Sequence, residues 1–391
     1  AWNEFANPLW LKMTQMMESG RNLTNGTMQD YGDRLWEMSI ENPEIAEIAL
    51  ELGMVDMVVS REELRHWMYQ EFPNLDNDKN ELPDSISIYE YLSLVDEAQN
   101  ESENKIAVVH VEGTIVTGEA SYNVAGSDTI VKNIRSAIKD DSVKALVLRV
   151  NSPGGDVWAS ELITNALNEF KSSGRPIVTS MGDIAASGGV WVTTLSDEIW
   201  AKNETITGSI GVYGIIPTLD GIYDWAGIQV DGITSTKAGE WDERLPMPEY
   251  VTEAIQAGID HTYDKFVSKV AENRMVPNRE ILSIAGGRIW SGEKAVQLGL
   301  VDKIGDLDDA VESAAAFANL DDYMVISYSK DMDPLDLFIS ELLNGLGAKI
   351  DVSSEIKMLA KLIDTKYKFI NPEKKINTAV YCFECEYFTS E

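Results

Sequence analysis

Residues 145–156 read Ala145-Leu-Val-Leu-Arg-Val-Asn-Ser-Pro-Gly-Gly-Asp156. The first half is an apolar run interrupted by one arginine, and the second half is a turn. Pro153 fixes φ, while Gly154 and Gly155 permit a sharp reversal with backbone N–H groups pointing outward. A helical pattern over Trp158–Ser172 follows. Strand, glycine turn and helix form the unit of a parallel sheet covered on both faces. The pattern recurs in apolar β-rich runs at Ile106–Val111, Pro176–Ser180, Glu198–Ala201 and Met324–Tyr328. Helical patterns lie at Ala185–Leu195 and from Pro248 to Asn273, the latter with Ile255, Ile259, Phe266 and Val270 on one stripe. Residues 104–330 therefore read as an α/β domain with a mostly parallel sheet.

The composition is that of a globular chain of 391 residues, 44% hydrophobic and 25% charged, which excludes disordered and collagen-like classes. Sixty-five acidic against 32 basic residues give a net charge of −33. Such a surface repels phosphate backbones and anionic headgroups, so no nucleic-acid partner is expected. The two cysteines, Cys382 and Cys385, rule out a disulfide-stapled scaffold and give no Cys/His set large enough for structural zinc. Neither a metal nor a cofactor is called for. No apolar run is long enough to span a bilayer, and the sequence from Ala1 does not open on a signal peptide.

An internal similarity sets the expected domain organisation. Glu51-Leu-Gly-Met-Val-Asp56 is echoed by Gln297-Leu-Gly-Leu-Val-Asp302, each downstream of a long helix that ends in an arginine turn, at Arg21 and at Arg274. Residues 1–75 are then expected to be the tail of a first repeat copy whose front lies before Ala1. Residues 76–103 form an acidic linker, 104–330 the second copy, and 331–391 a C-terminal extension. In that extension Leu335–Leu346 has helical apolar spacing, for a packing helix or a membrane-surface helix.

Three glycine-rich elements carry the candidate chemistry. The turn at Gly154 and Gly155 ends a parallel strand, where backbone amides can receive an anion. Ser180-Met-Gly-Asp-Ile-Ala-Ala-Ser187-Gly-Gly-Val190 places a serine with almost no steric cover at a helix start. Small neighbours would let a carbonyl approach its Oγ, with helix amides holding the oxyanion; equally, they suit a helix-packing face. Thr205-Ile-Thr-Gly-Ser-Ile-Gly-Val212 reads as a small-residue strand, either open to strand addition by a peptide or crowded into the core. A nucleophilic serine needs a base, and His66, His110 and His261 all fall away from these turns. A desolvated lysine can serve, and Lys237 is the candidate, against its reading as an exposed loop lysine.

Together, Asn-Ser-Pro-Gly-Gly, Met-Gly-Asp-Ile-Ala-Ala-Ser-Gly-Gly and Thr-Gly-Ser-Ile-Gly-Val resemble the signal peptide peptidase A (protease IV) family, in its long tandem-repeat form. The resemblance covers essentially the whole chain and implies a ClpP/crotonase-like fold and a serine endopeptidase with a Ser/Lys dyad. It implies Ser187 as nucleophile, with oxyanion amides from Gly154, Gly155 and Gly188. It further implies remnant signal peptides as substrates, a homo-oligomer, and attachment through an N-terminal anchor to the periplasmic face of a bacterial inner membrane. In the long form the dyad lysine comes from the first copy, which would lie upstream of Ala1. Lys237 occupies roughly the corresponding place in the second copy, as base, relic or bystander. Two rivals remain: a crotonase-like acyl-CoA hydratase or isomerase, which needs no serine, and a non-catalytic fragment that lacks its base.

Overall fold

The computed structural model describes residues 2–72, 85–88, 91, 102–120, 123–328 and 379–381. The chain divides into two compact units, Trp2–Asn100 and Glu101–Glu391. In the first, α1 (Trp2–Gly20), α2 (Thr27–Glu41), α3 (Ile45–Glu51) and α4 (Arg61–Glu71) follow one another among the described residues. Ser60 and Glu63 close α4 with a reciprocal capping box.

In the second unit β1 (Lys105–Glu112), β2 (Thr114–Val116) and β3 (Val124–Gly126) lead into α5 (Ser127–Lys139). Then come β4 (Val143–Ser152), β5 (Gly154–Asp156), α6 (Val157–Lys171), β6 (Ile177–Ala186) and the single-turn α7 (Gly188–Trp191). The chain continues through β7 (Glu198–Ala201), β8 (Ile206–Gly208), α8 (Asp220–Trp225) and the long α9 (Glu249–Arg274). The last elements are α10 (Asn278–Ile284), β9 (Ile289–Ser291), α11 (Gly292–Gln297), β10 (Lys303–Ile304), α12 (Leu307–Phe317), β11 (Met324–Tyr328) and β12 (Ala379–Tyr381).

The main sheet runs β10-β7-β6-β4-β1-β11, with β8 and β9 continuing beyond the upper half of β6. Every pairing in it is parallel except β8 with β9. Its strands are apolar on both faces, as a sheet covered twice requires. One face sends Ala107, Val109, Leu146 and Leu148 against Ile130 and Ile134 of α5 and Ile163, Leu167 and Phe170 of α6. The other sends Ile106, Val108, Ala145 and Val147 against Ala310, Val311 and Ala314 of α12. A second small sheet, β12-β5-β2-β3, forms where β4 ends.

Most of the strand expectations match closely; Glu198–Ala201 and Met324–Tyr328 have the observed bounds. Two differ. The strand expected at Pro176–Ser180 runs on to Ala186, and the helix expected over Ala185–Leu195 shrinks to Gly188–Trp191. The reason is pairing: Ile184, Ala185 and Ala186 lie in register with Ile206, Thr207 and Gly208. The ladder holds small residues that would otherwise enter a helix. Leu335–Leu346, Cys382 and Cys385 lie outside the described residues.

The two similar segments make the same contacts. Arg274 donates from Nε to the Gly299 carbonyl at 2.7 Å and forks onto the Asp302 carboxylate. Arg21 donates to the Gly53 carbonyl at 2.8 Å and forks onto Asp56. Each arginine precedes a left-handed residue, Met275 or Asn22. The fork differs in burial: Asp302 also accepts the Ile199 N–H at 2.8 Å, whereas the Asp56 side chain is 80% exposed.

At the lower end of the sheet, Asp140 accepts hydrogen bonds from the Ser142 hydroxyl and amide and from Lys105 Nζ. The Ser142 hydroxyl, then Lys105, hold its carboxyl down at about 2, below the ordinary 3.8. A depressed folded-state pKa contributes stability above the ordinary value that is lost as protons bind. The stability difference between the parent and Asp140→Asn should therefore be full above pH 3.8 and vanish as the pH falls to about 2. Urea midpoints measured across that range check it; a difference independent of pH would contradict it.

Candidate active site

The site grows from a mismatch between β4 and β6. Their register is regular up to Val150 opposite Met181, then slips so that Ser152 stands opposite Ala185. The extra length on β6 is Gly182-Asp183-Ile184. Asn151 fills the gap: its Oδ1 accepts the Ile184 N–H at 3.1 Å. A Cβ on Gly182 would come within 2.9 Å of that same oxygen. The bulge is further held from β8, where Thr205 and Thr207 donate to the carbonyls of Gly182 and Ala185, each at 2.7 Å. Bulges of this kind re-aim the chain beside functional residues. The motif reading did not assign Asn151 a role; its signal was an amide-bearing residue at a strand end facing a glycine.

Beyond the bulge Ser187 turns the strand into α7. Its backbone sits at φ 54°, ψ −115°, a left-side conformation that costs a non-glycine residue about 1–3 kcal/mol. Three backbone bonds hold it there. Its N–H donates to the Gly208 carbonyl at 2.9 Å, and its own carbonyl accepts from Val190 and Trp191 at 2.9 and 3.0 Å. This sharp strand–helix turn is the geometry that presents a serine hydroxyl on a nucleophile elbow. Ser187 is fully buried, and its Oγ is the one buried side-chain polar atom among the described residues with no hydrogen-bond partner. An orphaned buried hydroxyl carries a desolvation cost unless a ligand or reacting partner completes it.

The glycines expected around it are brought together. Gly154 and Gly155 have φ of +104° and +153°. A Cβ on Gly188 would lie 3.1 Å from the Gly155 nitrogen, 3.2 Å from Gly154 Cα and 2.9 Å from Ser160 Oγ. The backbone of β5 thus passes directly beside the first residue of α7. The Gly154 amide donates to Ser152 Oγ at 3.2 Å. Asp156 then caps α6, accepting from Ala159 N at 2.6 Å.

Lys237 makes no hydrogen bond to Ser187 Oγ. It opens an exposed 3₁₀ turn, Lys237–Gly239. None of the three histidines bonds to that oxygen. His110 sits on β1 between Glu112 Oε1 and Ser327 Oγ, at 3.0 and 2.9 Å, while His66 and His261 are exposed on helices. The hydrogen bond from His110 holds the Glu112 carboxyl below its ordinary range. No group of three or more metal-ligating side chains lies together among the described residues.

The open reading of Thr205–Val212 resolves in favour of the core. Ile206–Gly208 is buried and paired on both edges, to β6 and β9. Past it, Ser209, Gly211, Val212 and Tyr213, with Ile259 and Tyr263 of α9, line a cavity of about 690 Å³. The edge of β5 carries an added strand of this chain: Ala379–Tyr381 lies antiparallel beside Gly154–Asp156, with Val380 opposite Gly155.

These features accord with comparisons to known proteins. A profile of peptidase family S49 matches residues 169–321, which contain Ser187. Protease 4 of Haemophilus influenzae is 36% identical over 72% of this chain and 47% of that protein. Protease 4 of Salmonella typhi is 33% identical over 87% of this chain and 55% of that protein. A protease candidate of Synechocystis sp. is 34% identical over 59% of this chain and 81% of that protein. The chain belongs to peptidase family S49. This is a family of serine-type peptidases, and the mostly parallel α/β sheet is consistent with its ClpP/crotonase-like fold. The chain spans about half the length of the Protease 4 relatives.

In this S49 site the Gly188 contact is a close constraint open to mutation. Gly188→Ala should slow any reaction at Ser187 by about 10- to 100-fold, because displacing reacting groups by an ångström has that effect. Adding Ser160→Ala, which removes the 2.9 Å contact, should recover part of the loss. The rate of labelling by a fluorophosphonate reports both. Equal rates for Gly188→Ala and the parent would contradict the crowding described.

Proposed function

We propose that this chain hydrolyses peptide bonds through an acyl-enzyme on Ser187. The observation that carries the reading is the buried, unpartnered Ser187 hydroxyl on a strained strand–helix turn, with the Gly154–Gly155 backbone beside it. Membership of family S49 supplies the reaction class.

In the proposed reaction Ser187 Oγ attacks the scissile carbonyl while its proton passes to a lysine amine. Backbone amides near Gly155 and Gly188 hold the oxyanion. The lysine ammonium then returns the proton to the leaving amine, and the acyl-enzyme forms. Water attacks it with the same lysine as base, which releases the carboxylic acid and restores Ser187. The unpartnered Oγ and the exposed Lys237 favour a lysine from the first repeat copy over Lys237.

The substrate in this reading is an extended peptide that takes the place of Ala379–Tyr381, antiparallel beside β5. The cavity walled by Val212, Tyr213, Ile259 and Tyr263 suits an apolar side chain near the scissile bond. Remnant signal peptides meet both requirements. The remaining parts of the reading rest on resemblance: homo-oligomeric assembly, an N-terminal membrane anchor and the periplasmic face of an inner membrane. No helix among the described residues is long and apolar enough to cross a membrane.

In the full-length protein Ser187→Ala should reduce peptide cleavage by at least about 10³-fold, whereas Lys237→Ala leaves it within a few-fold of the parent. Peptide turnover by a fluorogenic apolar substrate checks both. Retained turnover in Ser187→Ala removes the acyl-enzyme reading, and its loss in Lys237→Ala returns that residue to the role of base.

A further inference from the structure

Next to the Ser187 turn lies a charged group that the proposed mechanism does not use. Glu161, on the second turn of α6, has a side chain only 17% exposed and receives three donors. Trp191 Nε1 donates to Oε2 at 3.1 Å, Lys265 Nζ to Oε1 at 3.0 Å, and Lys269 Nζ lies 3.3 Å from Oε2. Burial works against the Glu161 charge, yet Lys265 and Lys269 leave its carboxyl below the ordinary range. Trp191 is fully buried, with its ring 4.9 Å from that of Phe266 on α9 and both lysines within 6 Å of its face. Both lysines also belong to α9.

Each end of this cluster leads to a different half of the site. Trp191 ends α7, and its amide donates to the Ser187 carbonyl at 3.0 Å. Glu161 belongs to the helix that Asp156 caps, directly after Gly154 and Gly155. The short α7 has a single turn and cannot fix its own orientation by helical bonds alone. A partly buried ion pair adds little stability over apolar packing, because desolvation offsets its attraction. Its directional hydrogen bonds, by contrast, fix geometry.

We infer that Glu161 is a positioning residue: through Trp191 Nε1 it locks the Ser187 turn to the helix behind Gly154–Gly155, setting the distance between nucleophile and oxyanion amides. The inference rests on the peptidase reading of the preceding subsection. It needs no contact between Glu161 and substrate, so its loss should lower kcat and leave KM nearly unchanged.

The test uses the full-length protein with two readouts: the rate of Ser187 labelling by a fluorophosphonate, and kcat and KM on an apolar fluorogenic peptide. Glu161→Ala and Trp191→Phe should each lower labelling and kcat by about 10- to 100-fold, with KM within about threefold of the parent. Glu161→Gln keeps an acceptor for Trp191 Nε1 and should restore labelling to within about threefold of the parent. Trp191→Phe keeps ring packing on Phe266, so it carries the test alone if Glu161→Ala does not fold. Labelling of Trp191→Phe at the parent rate would overturn the inference, as would Glu161→Gln as slow as Glu161→Ala. A parent that takes no probe at Ser187 fails differently, removing the peptidase reading and this inference with it.

Discussion

At the carboxyl ends of β4 and β6 two backbones come so close that no side chain fits between them. A Cβ on Gly189 would lie 2.7 Å from the Ser152 carbonyl oxygen, and one on Gly155 would lie 2.0 Å from that of Ile115. Gly188 meets β5 in the same way. This absence of side-chain atoms lets the strand that ends at Ala186 turn immediately beside the strand that ends at Asp156. The rest of the site follows from it. Ser187 has to adopt a positive φ to make the turn, and the surrounding backbone bonds over-determine that conformation, as a strained residue requires.

The bulge on β6 is the second half of the same constraint. A regular parallel pairing would carry β6 past the glycine turn and point its side chains into the sheet. The slip at Asn151 instead lifts the strand end towards β8, where Gly208 takes the Ser187 amide. Asn151 stands in for the missing ladder rung with a side-chain amide oxygen, satisfying a backbone N–H that would otherwise be orphaned. Arg21 and Arg274 show the same economy, each within its own unit: similar segments close similar turns with a guanidinium fork on one carbonyl and one carboxylate.

Much of this was legible in the chain itself. The apolar strands, the glycine turn after Val150, the small neighbours of Ser187 and the recurrence of Leu-Gly-x-Val-Asp all rest on residues adjacent in sequence, whose propensities act locally. The expectation that Ser187 has almost no steric cover does not hold, because the packed elements around the turn bury it fully. The expected helix over Ala185–Leu195 failed because its first two residues, Ala185 and Ala186, are claimed by a partner strand, opposite Thr207 and Gly208. Ala185 and Ala186 favour helix on their own; the hydrogen bonds offered by Ile206–Gly208 outweigh that preference. Thr205–Val212 read equally well as a peptide platform or as core, and only the presence of β9 on its far side decides for the core. Lys237 met the requirement for a basic residue in the right part of the chain, yet its turn is exposed and Ser187 Oγ has no partner.

The sequence by itself determined where the chain must bend and which serine sits among small residues at that bend, because φ restrictions and the lack of a Cβ act on neighbouring residues alone. The tertiary structure decided the conformation of Ser187, the role of Asn151 in the strand mismatch and the gathering of Glu161, Trp191, Lys265 and Lys269. Each of those joins residues from separate elements, and only the register of the sheet and the packing of α9 against it bring them within hydrogen-bond reach.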